Sequence, residues 1–234
     1  MKKIKIGLLA IAAIVSVQTM YAQTVDEIVN KYVDALGGKE KLATLKSVRM
    51  EGSLNVSGTD VSLIITKLNM VGQRNDIIAM GMNGYQIYTP VTGWNFMPFM
   101  GQSSAEVLKD EEVKTGSIML DLQGNLFNYT EKGNQLELQG NQKVDTVDCY
   151  KIKATLKSGK VVTYFIDSKT YHIVKSVSTQ NVNGEEEVVN TYANYKATGN
   201  GYIFPFTNTI ERGQIDFSKI EVNVPVDEKI FMVN

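Results

Sequence analysis

The hydrophobic positions of the chain first follow a helical period. After the capping-box sequence Thr24-Val25-Asp26-Glu27, apolar residues recur every three or four positions as far as Gly37-Gly38. This spacing predicts one amphipathic helix that the two glycines end. A shorter helix is expected over residues 39–45, with Leu42 and Leu45 on one side. The apolar stripe of the first helix consists of Val25, Ile28, Val29, Tyr32, Val33 and Leu36.

From Ser47 onward the period changes to two. Val48, Met50 and Leu54 alternate with polar or small residues, which is the pattern of a half-buried β-strand. Similar alternation continues to residue 97 and resumes from residue 136, without a strand-helix-strand rhythm. We therefore expect an α+β, mainly β, fold in which about 11 antiparallel strands form a single curved sheet with a few helices. One domain over residues 23–234 is predicted.

Residues 103–127 interrupt the strands. Ser103-Ser104-Ala105-Glu106 offers a second capping box, which predicts a helix that runs to Lys114. Apolar residues four positions apart favour another short helix over residues 117–127. The sequence therefore predicts a helical break between two groups of strands.

The N-terminus has the layout of a bacterial secretory signal peptide over residues 1–22. Lys2, Lys3 and Lys5 precede an apolar run, and small residues lie near Ala22. The alternative is an uncleaved membrane anchor, but a membrane-spanning helix needs about 20 apolar residues and this run is shorter. We therefore predict cleavage near Ala22 and a soluble protein in the periplasm.

Composition excludes several classes of function. The chain carries 24 Lys and Arg against 25 Asp and Glu, whereas nucleic-acid-binding proteins are strongly basic. With 1 Cys and 1 His, it cannot form an internal disulfide or a zinc finger. The sequence also lacks a phosphate-binding loop and a metalloprotease motif. We therefore expect no nucleic-acid partner, no metal and no cofactor.

Residue types that could catalyse a reaction are scarce. Cys149 and His172 could form a nucleophilic pair only if their strands adjoin, and nothing nearby in sequence would lower the pKa of the thiol. A simple strand position also explains His172. Adjacent acids such as Asp110-Glu111-Glu112 point in different directions and cannot converge on one ligand. We therefore expect that the protein is not an enzyme.

The most unusual stretch lies between Met70 and Met100. It contains five of the chain's 10 Met and its 1 Trp. Large apolar side chains fill most positions from Trp94 to Met100, so strict alternation places apolar groups on both faces of that strand. Packing in the core could explain each of these residues singly. Because the flexible side chain of Met adapts to varied ligands, we expect one face of this strand to line a hydrophobic cavity. The predicted lining residues are Ile65, Met80, Met82, Trp94, Phe96, Met97, Phe99 and Met100.

Several segments, taken in order, resemble a known family. Residues 27–38 and then Leu45-Lys46-Ser47-Val48 are similar to its first helix and strand, and Gly93-Trp94-Asn95-Phe96-Met97-Pro98-Phe99 to its central strand. Further matches in type and order are Tyr150-Lys151-Ile152-Lys153, Tyr164-Phe165-Ile166-Asp167 and Pro225-Val226-Asp227. The chain thus resembles the LolA-like periplasmic outer-membrane lipoprotein-sorting proteins, which are lipoprotein carriers.

The resemblance implies an incomplete antiparallel barrel, closed on one side by helices, around a hydrophobic cavity. Acyl chains of a lipoprotein, or another lipid, would occupy this cavity in transit toward the outer membrane. The implied partners are transient donor and acceptor membrane proteins, and we expect a monomer. Carriers of this family place an arginine in the second strand, where it helps to control the lid. The nearest equivalents here, and the predicted gating residues, are Lys67 and Arg74.

Two other classes of function stay open from the sequence. The same apolar surface would serve an interaction module, such as an envelope sensor or an accessory to a secreted peptidase. An enzyme would have to use Cys149, His172 or tyrosines. An interior filled completely by the chain's own side chains would contradict the carrier.

Overall fold

A computed structural model describes residues 23–181 and 185–233, and the predicted signal peptide over residues 1–22 lies outside the described residues. The described helices are α1 (Val25–Ala35), α2 (Lys39–Ala43) and α3 (Asp110–Ser117). Short 3-10 helices span Pro98–Met100, Ile118–Leu120 and Glu228–Phe231. The strands are β1 (Ser47–Val56), β2 (Thr59–Leu68), β3 (Gly72–Ala79), β4 (Met82–Tyr88), β5 (Gly93–Phe96), β6 (Glu106–Val107), β7 (Gln135–Val144), β8 (Val147–Thr155), β9 (Val161–Asp167), β10 (Ile173–Asn181), β11 (Glu185–Ala197), β12 (Ile203–Ile210) and β13 (Gly213–Val222).

The first helix forms as its sequence predicts. Thr24 Oγ1 accepts a hydrogen bond from Glu27 N at 3.2 Å, and the Glu27 carboxylate accepts one from Thr24 N at 3.0 Å. This capping box satisfies two backbone donors that a helix start otherwise leaves unpaired. The apolar stripe faces the sheet, and its buried residues are Ile28, Val29, Tyr32 and Val33.

All described strands belong to one antiparallel sheet that does not close into a barrel. Its order is β6-β5-β4-β3-β2-β1-β13-β12-β11-β10-β9-β8-β7, so the first and last strands of the chain pair in the middle. The predicted fold class is therefore confirmed. The described part contains 13 strands where the sequence predicted about 11.

The register of the strands assigns each side chain to one of two faces. Ile65 is paired with Met50 and Asn75, and Leu63 with Ile77. Because side chains alternate along a strand, these residues share one face, which we call the inner face. Pairing carried across the sheet from strand to strand places the side chains beneath α1 on the same inner face. The opposite face is called the outer face.

Two large clusters of apolar side chains form most of the core on the inner face, and a smaller third cluster consists of Tyr88, Leu108, Val113 and Leu120. The helix cluster lies beneath α1, whereas the strand cluster covers β1, β2, β12 and β13. Buried members of the helix cluster are Ile28, Val29, Tyr32, Val33, Leu42, Leu126, Phe127, Ile152, Ala154, Leu156, Val162, Tyr164, Ile166 and Ile173. Buried members of the strand cluster are Leu45, Val48, Leu63, Tyr202, Ile215, Phe217, Ile220 and Val222.

The helix predicted from residue 103 to Lys114 forms over Asp110–Ser117, so only its predicted start is wrong. Residues 106 and 107 instead form β6, and Leu108 N donates to Gly93 O at 2.9 Å. The helix begins only at Asp110, where the Glu112 carboxylate accepts a hydrogen bond from Lys109 N at 2.9 Å. Pairing with β5 therefore overrides the local capping signal, because it satisfies backbone groups that a helix start leaves open.

The helix predicted over residues 117–127 is also wrong. Only the 3-10 turn Ile118–Leu120 forms, and an irregular segment follows it. Leu122 N donates to Asn69 Oδ1 at 2.9 Å, so a distant side chain replaces the helical partner. Gly124 then adopts a φ of +79°, which a helix cannot contain.

We expect Gly116→Ala to destabilise the chain, because α3 touches β4 at this glycine. A Cβ at residue 116 would lie 2.0 Å from Tyr88 Cδ1. Alanine favours a helix over glycine by up to about 1 kcal/mol, but overpacking against the ring should cost about 1–3 kcal/mol and outweigh it. Urea denaturation measures the change. Gly199→Ala, where nothing lies within 4 Å of an added Cβ, is the control. A Gly116→Ala chain as stable as the parent would contradict this packing.

Candidate functional site

A cavity of about 230 Å³ lies between α1, α2, residues 122–126 and strands β9 to β12. Its lining joins the two core clusters, because Leu42 and Tyr164 belong to the helix cluster and Leu45 and Phe204 to the strand cluster. The core is therefore not completely filled where the clusters meet. The apolar lining consists of Leu36, Leu42, Leu45, Leu122, Leu126, Ile173, Ile203, Phe204 and Pro205.

One wall of the cavity is a tyrosine that its neighbours fix in place. Tyr195 Oη donates to Ile173 O at 2.8 Å. The ring of Tyr195 stacks on the imidazole of His172, with centroids 4.1 Å apart and planes 3° from parallel. His172 Nε2 in turn lies 3.3 Å from Ala35 O, at the end of α1. His172 therefore links the sheet to the first helix and supports the cavity wall.

Three further tyrosines bring hydroxyl groups to the cavity. Asn125 Nδ2 donates to Tyr164 Oη at 2.8 Å, and Tyr192 Oη lies 3.1 Å from Ser176 Oγ. Burial raises the pKa of Tyr32, and the nearby Tyr164 and Tyr192 raise it further. Burial also raises the pKa of Tyr192, and that of Tyr164 to about 12. These hydroxyls therefore remain protonated at neutral pH and can donate hydrogen bonds.

The two residues considered for nucleophilic catalysis do not meet. Cys149 is buried, and its Sγ lies 3.5 Å from Val147 O. Burial, with a smaller effect of Asp167, raises the pKa of the thiol, which disfavours the reactive thiolate. The ring of His172 faces Tyr195 and the backbone of α1 instead. The arrangement therefore offers no activated thiol.

Residues 118–134, which we call the covering segment, close one side of the cavity. Polar side chains hold this segment at several points. Asn69 Oδ1 accepts a hydrogen bond from Leu122 N at 2.9 Å, and Gln123 Nε2 donates to Leu42 O at 3.1 Å. Together with the bond between Asn125 and the sheet, these contacts fix the cover without a regular helix or strand.

Charge close to the cavity is balanced. Asp121 forms an ion pair with Lys132 at 2.6 Å, and Lys132 Nζ also donates to Gly124 O at 2.9 Å. Both side chains of the pair are mostly shielded from solvent. Among the described residues, the lining itself includes no Asp, Glu, Lys, Arg or His. The interior is thus apolar apart from its hydroxyl and amide groups.

The two predicted gating residues lie on opposite faces. Lys67 is on the inner face, and its Nζ donates to Met119 O of the covering segment at 3.4 Å. Desolvation lowers the pKa of Lys67 to about 8. Arg74 is on the outer face, where its Nε pairs with Asp76 at 2.7 Å and its guanidinium donates to Ile230 O at 3.1 Å. Only Lys67 touches the cover.

Four of the predicted lining residues lie on the inner face, beyond the cavity. Ile65 is a half-buried member of the strand cluster, and the register places Met82 on the same face. A Cβ at Gly84 would lie 2.8 Å from Phe99 Cε1 and 3.2 Å from Met97 Sδ. The missing side chain of Gly84 therefore gives Met97 and Phe99 their place above β4.

The other four predicted residues lie elsewhere. Trp94 and Phe96 are on the outer face, where the ring of Phe96 lies 5.6 Å from that of Tyr85. Met80 and Met100 are 70% and 72% exposed. None of the eight residues, all within the described ranges, is among those that line the cavity.

The sequence analysis places several of the lining residues on the apolar faces of predicted helices and none of them in a cavity. Tyr32 and Leu36 belong to the stripe of the first helix, and Leu42 and Leu45 to one side of the second. The available signal was the tyrosine content, since the chain has 11 Tyr against 8 Phe. A buried tyrosine brings a hydroxyl into apolar surroundings, which is a common property of ligand sites.

The structure also bears on metals and membrane spans. Within residues 23–181 and 185–233, no three His, Cys, Asp or Glu side chains are grouped to hold a metal ion. None of the helices described has both the length and the apolar character needed to cross a bilayer.

Comparison with known proteins identifies the fold. Neither the models of known protein families nor the curated proteins give a match. Among solved structures, a DUF1329 family protein from Desulfovibrio piger matches with a TM-score of 0.57 and 16% identity, covering 90% of this chain and 98% of that one. A LolA superfamily protein from Nitrosomonas europaea matches with a TM-score of 0.55 and 14% identity, over 91% and 99%.

A third similar structure is a domain classed with the outer membrane lipoprotein-sorting proteins, from Vibrio parahaemolyticus. It matches with a TM-score of 0.52 and 16% identity, covering 88% of this chain and 94% of that one. The three likenesses therefore extend over nearly the whole length of each protein. At these identities they concern the arrangement of strands and helices, and the chain has a LolA-like fold.

Proposed function

We propose that the protein is a carrier that binds acyl chains of a lipoprotein, or of another lipid, in the apolar cavity. The observation that carries this proposal is an unfilled, mostly apolar space between two core clusters. The similarity to a LolA superfamily protein and to a lipoprotein-sorting domain supports it. The carrier acts without catalysis, and the raised pKa of the Cys149 thiol supports that view.

The cavity has room for only part of a long ligand, and the inner face continues the apolar surface of the cavity. Its 230 Å³ is below the roughly 300–1,000 Å³ of most ligand pockets. Half-buried members of the strand cluster, among them Met50, Ile65 and Ile77, continue the apolar surface toward β4. From β12 to β4 the sheet spans about 24 Å at the usual strand spacing. We therefore propose that a long chain continues toward Met82 and Met97.

The energetics of acyl chains explain why such a cavity is needed. Each buried CH₂ contributes about 0.8 kcal/mol, so a protein with several acyl chains leaves a bilayer very slowly on its own. A carrier must replace that apolar environment. Placing a ligand against side chains that are half-buried in the free protein costs little free energy, because no tightly packed contact has to be broken.

We propose that movement of the covering segment controls access to the cavity, with Lys67 as the latch of this segment. The ammonium of Lys67 donates to Met119 O, so it connects β2 with the cover. Arg74 is engaged with Asp76 and Ile230 on the outer face, so the gating role falls to Lys67 alone.

The proposed location is the periplasm. The signal-peptide pattern of residues 1–22 supports export, and the lipoprotein-sorting likeness supports a role between two membranes. The proposed partners are an acylated protein or lipid and transient donor and acceptor membrane proteins, and the carrier works as a monomer.

Protein purified from its native host should carry acyl species, which solvent extraction and mass spectrometry detect. We expect Leu122→Trp to reduce uptake of the apolar dye Nile red at least tenfold, because the indole fills the cavity behind the covering segment. Val91→Trp, at a residue 87% exposed, is the control and should bind normally. Lipid-free native protein, together with equal dye uptake by both variants, would contradict the carrier.

We expect Lys67→Met to be about 1–3 kcal/mol more stable than the parent at pH 7, because it removes a desolvated charge. The folded pKa of Lys67 is about 8, below the ordinary value of about 10.4. Between these two pKa values the unfolded chain binds more protons at Lys67 than the folded chain does. The free energy of unfolding of the parent therefore rises as the pH increases through this range. The advantage of Lys67→Met should therefore shrink toward zero by about pH 10.

Urea denaturation at several pH values measures the difference, and Lys169→Met, at an exposed lysine, is the control. A difference between Lys67→Met and the parent that stays constant from pH 7 to pH 10 would mean that Lys67 is not desolvated. Loss of the contact with Met119 O should also accelerate dye release from Lys67→Met, and an unchanged release rate would contradict the latch.

Fluorescence of Trp94 tests where the ligand binds, because it is the only tryptophan. Strand β5 lies six strand spacings, or about 29 Å along the sheet, from β12 at the cavity. We expect 1-bromodecane, a short quenching ligand, to displace Nile red without quenching Trp94. Strong quenching on displacement would instead place the ligand beside Trp94 and Phe96, as the sequence predicts.

A further inference from the structure

Two tyrosines in the cavity wall keep a hydrogen-bond donor that no other described group uses. Tyr195 has already donated its proton to Ile173 O. Tyr164 accepts a hydrogen bond from Asn125 Nδ2, and no acceptor for the proton of its own hydroxyl is found among the described residues. No hydrogen bond of the Tyr32 hydroxyl is found within the described ranges, and this side chain is only 7% exposed. Two buried hydroxyl protons are therefore available to a ligand.

The same cavity has no cation for an anionic ligand. A charged pair beside the cavity is Asp121 with Lys132, whose Oδ2 and Nζ atoms lie 2.6 Å apart. Asp121 raises the pKa of Tyr32 and of Tyr164, although less than burial does, so its negative charge is felt at both hydroxyls. A carboxylate in this position would lose its hydration without gaining a positive partner, which is costly in an apolar site. An uncharged acceptor avoids that cost.

We propose that Tyr32 and Tyr164 bind the ester carbonyl of an acyl ligand, and that the cavity selects esterified chains over free fatty acids. This inference rests on the proposed carrier function and adds the chemical class of the ligand. An ester carbonyl accepts hydrogen bonds without needing a donor or a counter-ion in return. It therefore matches a wall that offers two free hydroxyl protons and no cation. An acyl chain attached to the ester fits the surrounding Leu and Ile side chains.

The test is displacement of Nile red at pH 7.5 by three ligands of equal chain length: methyl decanoate, decanoate and decane. We expect the wild-type chain to bind methyl decanoate at least tenfold more tightly than decanoate. In the double variant Tyr32→Phe/Tyr164→Phe, affinity for methyl decanoate should fall roughly tenfold, as expected for two lost hydrogen bonds. Affinity for decane should not change, because the apolar volume is the same.

Controls separate the hydroxyl effect from damage to the fold. Tyr85→Phe removes a hydroxyl outside the cavity and should leave all three affinities unchanged. The single variants Tyr32→Phe and Tyr164→Phe repeat the test with less change to the core. Binding of decanoate as tight as that of the ester, or no effect of the double variant, would overturn the inference and leave the carrier intact. Failure of all three ligands to displace the dye would contradict the carrier function and this inference with it.

Discussion

The structure depends on an apolar inner face that is larger than the elements covering it. Thirteen strands contribute to the sheet, whereas α1 has 11 residues, α2 has 5 and α3 has 8. The helix cluster is covered by α1, but the strand cluster keeps half-buried members such as Met50, Ile65 and Phe206. Water contact with apolar surface costs about 25 cal/mol per Å². Folding therefore leaves apolar surface in contact with water, and the proposed binding of an acyl chain would gain free energy by covering it.

The cover over this face is held both by polar bonds and by packing, because Leu120, Leu126 and Phe127 of the covering segment are fully buried. Asn69, Gln123 and Asn125 each connect the covering segment to another element by one hydrogen bond. A typical hydrogen bond contributes about 0.5–1.5 kcal/mol net, since water replaces it when it breaks. Opening the segment would also expose Leu126 and Phe127, whose burial contributes about 1.5–3 kcal/mol each, so packing contributes more to closure than these polar bonds do.

Local signals in the sequence were sufficient for much of this fold. The capping box at Thr24 and the stripe through Tyr32 define α1, and alternation defines most strands. Prediction failed over residues 103–127, where distant groups decide the structure. There Leu108 N donates a hydrogen bond to Gly93 O, which extends the sheet. Leu122 N donates to Asn69 Oδ1 instead of to a helical carbonyl. A local sequence pattern cannot indicate these partners, because they are separated from residues 103–127 by many positions in the chain.

The position of the cavity shows a further limit of sequence reasoning. Alternation correctly places Trp94 and Met97 on opposite faces, but it does not reveal which face lies beneath the helices. That choice follows from the position of α1 over β8 and β9, far from β5 in the sheet order. The apolar segment around Trp94 packs at one edge of the sheet, whereas the cavity opens where Tyr32, Leu45 and Phe204 converge from three distant parts of the chain. Unfilled space arises from how elements meet, so no single segment of the sequence can contain its signature.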